Sequence, residues 1–260
     1  RIDGIIDSLL GLFVVYFAQI VLVEMVLGVM NVLYPKNIII FTLIIFFALF
    51  MFARKRKSSF IQFDLGSCVN NLLSSKIYIF VFSIAISFFA VKILVNLFNP
   101  PFGWDSLNYH FAFPIEWLKH ANLNNPITAF DDPSPTYYPI NGSLFYFWLM
   151  FPFRSVFLAD LGQAPFFIIA LISVYGISRK IGLNNKISFF SAMLFMLIPN
   201  FFKQLQIAYV DVMVASLFLV CVNFLLLLNK NFDLPNTLIY SLSLGLLIGT
   251  KTVALPYSIL

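Results

Sequence analysis

The chain has 260 residues, of which 61% are hydrophobic, 18% are aromatic and only 10% are charged, with a mean hydropathy of +0.93. So little charge excludes a soluble domain of this length and predicts a multi-pass membrane protein. The net charge of +5 does not indicate a nucleic-acid partner, because the basic residues form short clusters between apolar runs, where topology signals lie. The two cysteines, Cys68 and Cys221, predict neither a disulfide nor a thiolate metal cluster.

Apolar runs predict seven membrane spans in an all-α bundle, since a helix needs about 20 apolar residues to cross the hydrocarbon. In chain order, the runs are residues 5–33, 38–53, 77–98, 158–178, 187–202, 210–228 and 237–257. Glu24 interrupts the first span and is expected to face other helices rather than lipid. The chain begins with Arg1 instead of Met and stops within the last apolar run, so we expect a fragment of a longer protein.

Basic clusters predict the sidedness of the spans. The clusters expected in the cytoplasm are residues 54–57, Arg179 and Lys180 with Lys186, and Lys230. Residues 99–157 must then form an outer loop. The apolar piece 144–153 is too short to cross, so it is predicted to be an interfacial helix in the headgroup plane. Residues 1–76 are thus two leading spans with a cytoplasmic basic linker, and residues 77–260 form a membrane core with the outer loop.

The outer loop opens with four different polar groups within six residues: Asp105, Asn108, Tyr109 and His110. An apolar stripe at helical spacing follows them, formed by Leu107, Phe111, Ile115 and Leu118. The opposing, mostly polar stripe contains Asp105, Asn108, Ala112, Glu116 and Lys119. This pattern predicts an amphipathic helix at a membrane surface, with a break or kink at Pro114. Residues 122–139 are then predicted to be a loop, with turn chemistry at Asp131 and Asp132.

Several stretches together resemble class C membrane glycosyltransferases. The first outer loop carries GWDSLNYH at residues 103–110, IEWL at 115–118 and Tyr138-Pro139. Later pieces are QIAYVD at 206–211 and the Gly-rich GLLIGTKT at 245–252. The resemblance covers residues 77–260 and is nearest to dolichyl-phosphate-mannose protein mannosyltransferases and bacterial lipid A aminoarabinose transferase. This chain differs in having Asp105-Ser106 where the mannosyltransferases usually carry two adjacent acids, and in its two leading spans.

The resemblance implies an enzyme that transfers a sugar, with inversion, from a polyprenyl-phosphate donor to a lipid, glycan or protein acceptor on the outer face. Asp105 would be the catalytic base, and Lys251 and Lys203 would meet the donor phosphate. Asp211 would bind sugar hydroxyls or hold a divalent cation, the one possible cofactor, together with Asp105. The other expected substrate-binding residues are Asn108, Tyr109, His110, Glu116 and Tyr138. The expected location is the cytoplasmic (inner) membrane of a prokaryote.

Each assignment has a simpler alternative. Asp105 could be a helix N-cap, and His110 a satisfied interfacial histidine. Glu116 could be a solvated partner of Lys119, and Asp131 and Asp132 turn residues instead of a metal pair. Lys251 could be an anchor that reaches the headgroups. A carboxylate at the edge of a span, such as Asp211, costs free energy unless it has a function or an ion-pair partner.

For the whole chain, the alternatives are a membrane transporter, a lipid flippase or a non-catalytic scaffold. A transporter would be expected to show inverted repeats with broken helices at the membrane midplane, and the sequence shows no such internal symmetry. A scaffold would not need Asp105, Asp211 and Lys251 on the same outer side.

Overall fold

A computed structural model describes residues 2–55, 76–128, 132–230 and 232–259, and it is all-helical over them. Its α-helices are α1 (Ile2–Val29), α2 (Pro35–Lys55), α3 (Lys76–Phe98), α4 (Ala112–His120), α5 (Asn141–Met150), α6 (Gln163–Lys180), α7 (Asn185–Met196), α8 (Pro199–Lys203), α9 (Asp211–Lys230), α10 (Leu234–Ile248) and α11 (Ala254–Tyr257). A π-helical turn (Ser106–His110) and short 3-10 turns at Ser134–Tyr137, Ala159–Leu161 and Gln204–Gln206 connect them. The predicted cytoplasmic linker after residue 55, with Cys68, and the predicted turn residue Asp131 lie outside the described residues.

Five stretches are long and apolar enough to cross a membrane: Gly4–Val29, Pro35–Phe52, Lys76–Phe98, Ala159–Lys180 and Asp211–Lys230. The predicted fifth span is instead a pair, α7 and α8, bent by 62° where Pro199 begins α8, because proline cannot continue the hydrogen-bonding ladder of α7. The predicted seventh span is only the 15-residue helix α10, about 22 Å long and shorter than a hydrocarbon core of about 30 Å. The described residues therefore form an all-α bundle with five candidate membrane spans.

The centre of the bundle is α9, which packs against α6 and α10, while α1 packs against α6, α10 and α5. Aromatic side chains fill these contacts: the ring of Phe17 lies edge-on to Phe145 and Phe166, with centroids 5.5 and 5.2 Å apart. In contrast, α2 and α3 leave most of their apolar side chains exposed. On a membrane protein such surfaces face lipid tails, which are as apolar as the side chains themselves.

The two ends of the bundle differ in chemistry. At one end, Lys180 Nζ lies 2.5 Å from Asp7 Oδ1, and Asn223 bonds to both side chains. Lys230 Nζ also lies there and donates to the Lys180 carbonyl. Asp211 and Gln163 begin α9 and α6 at the opposite end. Lys180 and Lys230 therefore lie at the end of the bundle opposite to Gln163 and Asp211. Which end faces the cytoplasm stays a prediction.

Two features of the outer region and of α1 test the sequence interpretation directly. Glu24 is fully buried between helices, as predicted. Helix α5 has ten residues, about 15 Å, and so is too short to span, as predicted for the apolar piece 144–153. It does not lie on the surface as an interfacial helix, however, because Tyr146, Phe147 and most other side chains of α5 are buried. Gly142 permits the close approach of Val210 to this helix.

Candidate functional site

The segment that follows α3 contains the π-helical turn Ser106–His110. The Phe111 N–H donates to the Ser106 carbonyl, five residues back, at 2.9 Å. This wider turn changes the phase of the side chains relative to an α-helix. Leu107 is consequently 58% exposed while Phe111 is 3% exposed, and Asn108 is buried. The prediction of one continuous apolar stripe is therefore wrong at this turn, and Asn108, which was expected on the polar stripe, is buried.

The predicted kink at Pro114 is absent. Helix α4 begins at Ala112, so Pro114 lies in its first turn, where its missing N–H would have no partner within the helix anyway. The change of helix type occurs earlier, at Phe111, between the π-helical turn and α4. Phe113 and Trp117 then anchor α4 with buried rings.

Gly103 lets this segment approach the connection between α8 and α9. Its φ is +98°, a conformation that side-chain-bearing residues rarely adopt. A Cβ atom at this position would lie 2.8 Å from Ile207 and 3.1 Å from Tyr209. The absence of a side chain therefore brings Asp105 towards the start of α9.

A cavity of about 310 Å³ lies where the outer loop meets α9 and the end of α10. Six of the nine residues predicted to form the site line it: Asp105, Asn108, Tyr109, His110, Tyr138 and Lys251. Asp211 joins them through its contact with Lys251. The loop, α9 and the segment after α10 thus converge on one concave surface.

Lys251 and Asp211 form an ion pair at this cavity. Lys251 Nζ lies 2.7 Å from Asp211 Oδ1, and the two side chains are 37% and 39% exposed. Asp211 is the first residue of α9, a position where the helix dipole favours a carboxylate. Lys251 was predicted within the last span, but α10 ends at Ile248 and the lysine lies in the following turn. Asp211 is thus paired, and Lys251 reaches a carboxylate.

The N-terminus of α5 holds the turn that carries Lys251. The Asn141 N–H donates to the Gly249 carbonyl at 2.9 Å, and the Asn141 side-chain amide donates to Leu246 O at 3.2 Å. Thr250 Oγ1 donates to the same Leu246 carbonyl at 2.7 Å. A Cβ atom on Gly249 would clash with the Asn141 side chain, whereas Gly245 has nothing within 4 Å. Of the two predicted packing glycines, only Gly249 therefore permits a close approach.

Asp105 does not act as a helix cap. It directly precedes the π-helical turn, but its side chain makes no capping hydrogen bond. Burial raises the pKa of Tyr109, and the nearby charge of Asp105 raises it further, so the Tyr109 hydroxyl stays protonated. Tyr138 packs edge-on to the Tyr109 ring, with centroids 5.5 Å apart.

His110 is buried at 3% exposure, and its Nδ1 lies 3.0 Å from the Ser143 hydroxyl. Burial lowers the pKa of His110 to about 3, with a further contribution from the positive charge of Lys251. The imidazole is therefore neutral at physiological pH. Its Nε2 has no hydrogen-bond partner among the described residues. The alternative of a histidine with both ring nitrogens hydrogen-bonded therefore holds only for Nδ1.

Two predicted site residues lie elsewhere. Glu116 pairs with Lys119 at 2.7 Å and with His120 at 3.4 Å on an exposed face, and it lines a separate cavity of about 830 Å³. This agrees with the simpler interpretation of Glu116. Lys203 ends α8, is exposed, and does not line the cavity that contains Lys251.

Asp132 is both a turn residue and part of the cavity wall, whereas the sequence offered these roles as alternatives. Its carboxylate accepts bonds from the Ser134 N–H at 2.9 Å and the Ser134 hydroxyl at 2.6 Å, as expected of a turn residue. It also lines the cavity. In the described part of the chain, no three His, Cys, Asp or Glu side chains are close enough to hold a metal ion together. The divalent cation was predicted to bind Asp105 and Asp211. Because Asp211 is paired with Lys251, these two carboxylates do not form that site by themselves.

Sequence reasoning missed Ser143, Asn141 and Thr250. Ser143 orients His110, and the other two fix the turn that carries Lys251. Thr250 lies in the Gly-rich stretch 245–252, but only Lys251 of that stretch was predicted to belong to the site, and Asn141 and Ser143 belong to none of the stretches that carry the resemblance.

The chain matches no protein-family profile, no curated protein and no solved structure. The resemblance to class C glycosyltransferases therefore stays a prediction from the motifs.

Proposed function

We propose that this chain is a polytopic membrane glycosyltransferase that uses a polyprenyl-phosphate sugar. It would transfer the sugar, with inversion, to an acceptor at the outer face of the membrane. One observation carries the proposal: Asp105 and Lys251 line a single cavity at one end of a bundle of apolar helices, and Lys251 is paired there with Asp211. A carboxylate and a cation are the two groups that this reaction requires.

The residues divide the chemistry between them. Asp105 accepts the proton of the acceptor hydroxyl as its oxygen attacks the anomeric carbon. The bond between that carbon and the phosphate oxygen breaks, and the electron pair leaves with the phosphate. Lys251 stabilises the negative charge that develops there. The Tyr109 hydroxyl, whose pKa is raised by burial and by the charge of Asp105, is the donor that would keep the carboxylate in position.

The ion pair of Lys251 is compatible with phosphate binding. An ammonium group has three N–H donors, and Asp211 Oδ1 occupies one of them. The remaining donors are available to phosphate oxygens, since Lys251 is more than one third exposed. Asp211 then holds the lysine in position and accepts from sugar hydroxyls with its second oxygen.

The proposed membrane arrangement has seven spans, with α7–α8 as a bent span and α10 as a short one. The loop of residues 99–157 lies outside and carries α4 at the interface. The exposed apolar faces of α2 and α3 leave lipid close to the bundle, as a lipid-linked donor requires. We place the protein in the cytoplasmic membrane of a prokaryote.

The test is transfer by the purified protein. Nanodiscs containing the protein are supplied with polyprenyl-phosphate sugars, and the release of polyprenyl phosphate is measured with and without lipid, glycan and peptide acceptors. Glycolipids and surface glycans of cells with and without the gene identify the acceptor. If no donor is consumed and no glycan changes, the proposal is wrong.

A transporter or lipid flippase is the second candidate, and Glu24 is the observation that favours it. This carboxyl lies fully buried in α1, and neither oxygen has a partner among the described residues. Intramembrane carboxyls of this kind occur in proton relays of transporters. Sugar or lipid movement into proteoliposomes that is lost in Glu24→Gln, without any transfer, would select this candidate.

A further inference from the structure

The π-helical turn carries three buried polar side chains with incomplete hydrogen bonding. Ser106 Oγ, Asn108 Oδ1 and His110 Nε2 have no partner within the described ranges of the chain. Each side chain belongs to a residue that is at most 8% exposed. Most buried polar atoms in folded proteins have a partner, and each exception calls for an explanation such as a bound group. Two of these atoms belong to residues that line a cavity, Asn108 and His110, and these two indicate a ligand.

Asn108 and His110 line the 310 Å³ cavity that contains Asp105 and Lys251. The orientation of the imidazole is fixed from behind. Its Nδ1 lies 3.0 Å from Ser143 Oγ, and its ring packs against Tyr109 and Tyr146, with centroids 4.3 and 5.5 Å apart. Because one ring nitrogen is committed to Ser143, Nε2 is the nitrogen left for a ligand.

Neither free atom carries a charge. The His110 imidazole is neutral at physiological pH, and the amide oxygen of Asn108 only accepts hydrogen bonds. A hydroxyl both donates and accepts, so it matches an amide oxygen and either tautomer of an imidazole. An ionised phosphate only accepts, and it would find no donor at Asn108 Oδ1.

We propose that Asn108 and His110 bind hydroxyl groups of a neutral sugar, while Lys251 in the same cavity meets the phosphate to which that sugar is attached. The second half of this statement rests on the proposed function, whereas the sugar subsite does not. The rings of Tyr109 and Tyr138, which pack edge-on to each other, provide an apolar wall for the C–H face of the sugar. The cavity volume is at the lower end of the roughly 300–1,000 Å³ typical of small-molecule sites, which suits one sugar residue.

The first test needs no lipid carrier. The chain has two histidines, His110 and His120, so ¹⁵N-histidine NMR of the wild-type protein in nanodiscs resolves both. The probes are the methyl glycosides of glucose, mannose and galactose, and inorganic phosphate. At least one glycoside should shift the His110 Nε2 signal saturably, while phosphate should not, and exposed His120 should not respond. If no glycoside shifts His110, or if phosphate alone does, the subsite is refuted.

The second test uses His110→Phe, which keeps a ring but removes both nitrogens, with His120→Phe as the matched control. The lipid probes are undecaprenyl phosphate and undecaprenyl phosphate carrying the sugar that shifts His110. Loss of a buried hydrogen bond should weaken binding of the sugar-bearing lipid about tenfold or more and leave the bare lipid unaffected. Equal weakening of both lipids would show that His110 is only structural.

The two proposals fail in different ways. If the wild-type protein binds a glycoside at His110 but neither lipid, the proposed function is wrong and the sugar subsite stands. If the protein transfers sugar from the lipid while no glycoside reaches His110, the function stands and the subsite is wrong. If His110→Phe does not fold, the NMR titration of the wild-type protein decides alone.

Discussion

Replacing Lys251 by methionine tests whether this lysine binds the donor phosphate. Methionine keeps an unbranched side chain and removes the charge. The pair with Asp211, at 2.7 Å, involves two side chains that are each more than one third exposed, so its loss should lower stability by less than about 1 kcal/mol. Loss of a charged hydrogen bond to phosphate should cost about 1.5–3 kcal/mol, which is roughly a 10- to 150-fold weaker donor affinity.

The assay is a donor titration at fixed acceptor, followed by an acceptor titration at saturating donor, both in nanodiscs. In Lys251→Met, the donor dependence should shift and the acceptor dependence should not. Lys251→Arg should keep part of the activity, because the charge remains while the geometry of the donors changes. Lys203→Met is the matched control, since Lys203 is exposed and does not line the cavity.

An unchanged donor dependence in Lys251→Met would refute this reasoning. Lys251 would then serve only as the partner of Asp211. If Lys203→Met alone weakened donor binding, the phosphate site would have to lie at the end of α8, and Asp105 would not share a cavity with it.

Four further predictions follow from the same geometry. Asp105→Asn should lower turnover by roughly a hundredfold or more without loss of thermal stability, since its side chain makes no capping bond; near-normal transfer would exclude Asp105 as the base. With Cys68 and Cys221 removed, single cysteines at Ser134 and Ser155 should both react with an impermeant thiol reagent in intact cells, and protection of Ser155 alone would mean that residues 144–153 cross the membrane. Gly103→Ala should impair transfer more than Gly182→Ala, because both glycines have positive φ but only Gly103 has atoms within 4 Å of a new Cβ; equal loss would leave backbone strain as the only effect. The pKa of His110 is lowered from 6.5 to about 3, so its contribution to stability is complete above about pH 6.5 and is lost as the pH falls towards 3. Over that range, the thermal midpoint of the wild type should therefore fall more steeply than that of His110→Phe. Parallel curves would contradict this prediction.

The membrane class and the burial of Glu24 were predictable from the sequence, because length and hydropathy limit which segments can cross a bilayer and an unpaired charge is excluded from lipid. The π-helical turn was not. A period of 3.6 residues places Leu107 and Phe111 on one face, and a single wider turn separates them. No residue type in this stretch marks such a turn.

The bend at Pro199 and the end of α10 at Ile248 were also missed, for a related reason. Both stretches are apolar enough to read as complete spans, since hydropathy averaged over a window does not register where a helix stops. The proline was visible in the sequence, but whether a proline kinks a helix, separates two helices or lies harmlessly in a first turn depends on where each helix begins. Pro114 and Pro199 show two of these outcomes in one chain.

What the sequence by itself determined is the chemistry available at one end of the bundle: Asp105, the polar residues that follow it, Asp211 and Lys251, all placed on one side by the distribution of basic clusters. Only the tertiary structure decided which of these groups meet. It paired Lys251 with Asp211 across 40 positions, set Ser143 behind His110 across 33, and left Glu116 and Lys203 outside the cavity. The physical reason is that a side chain's type follows from the sequence alone, whereas contacts between distant segments follow from how whole helices pack, and no local pattern encodes that packing.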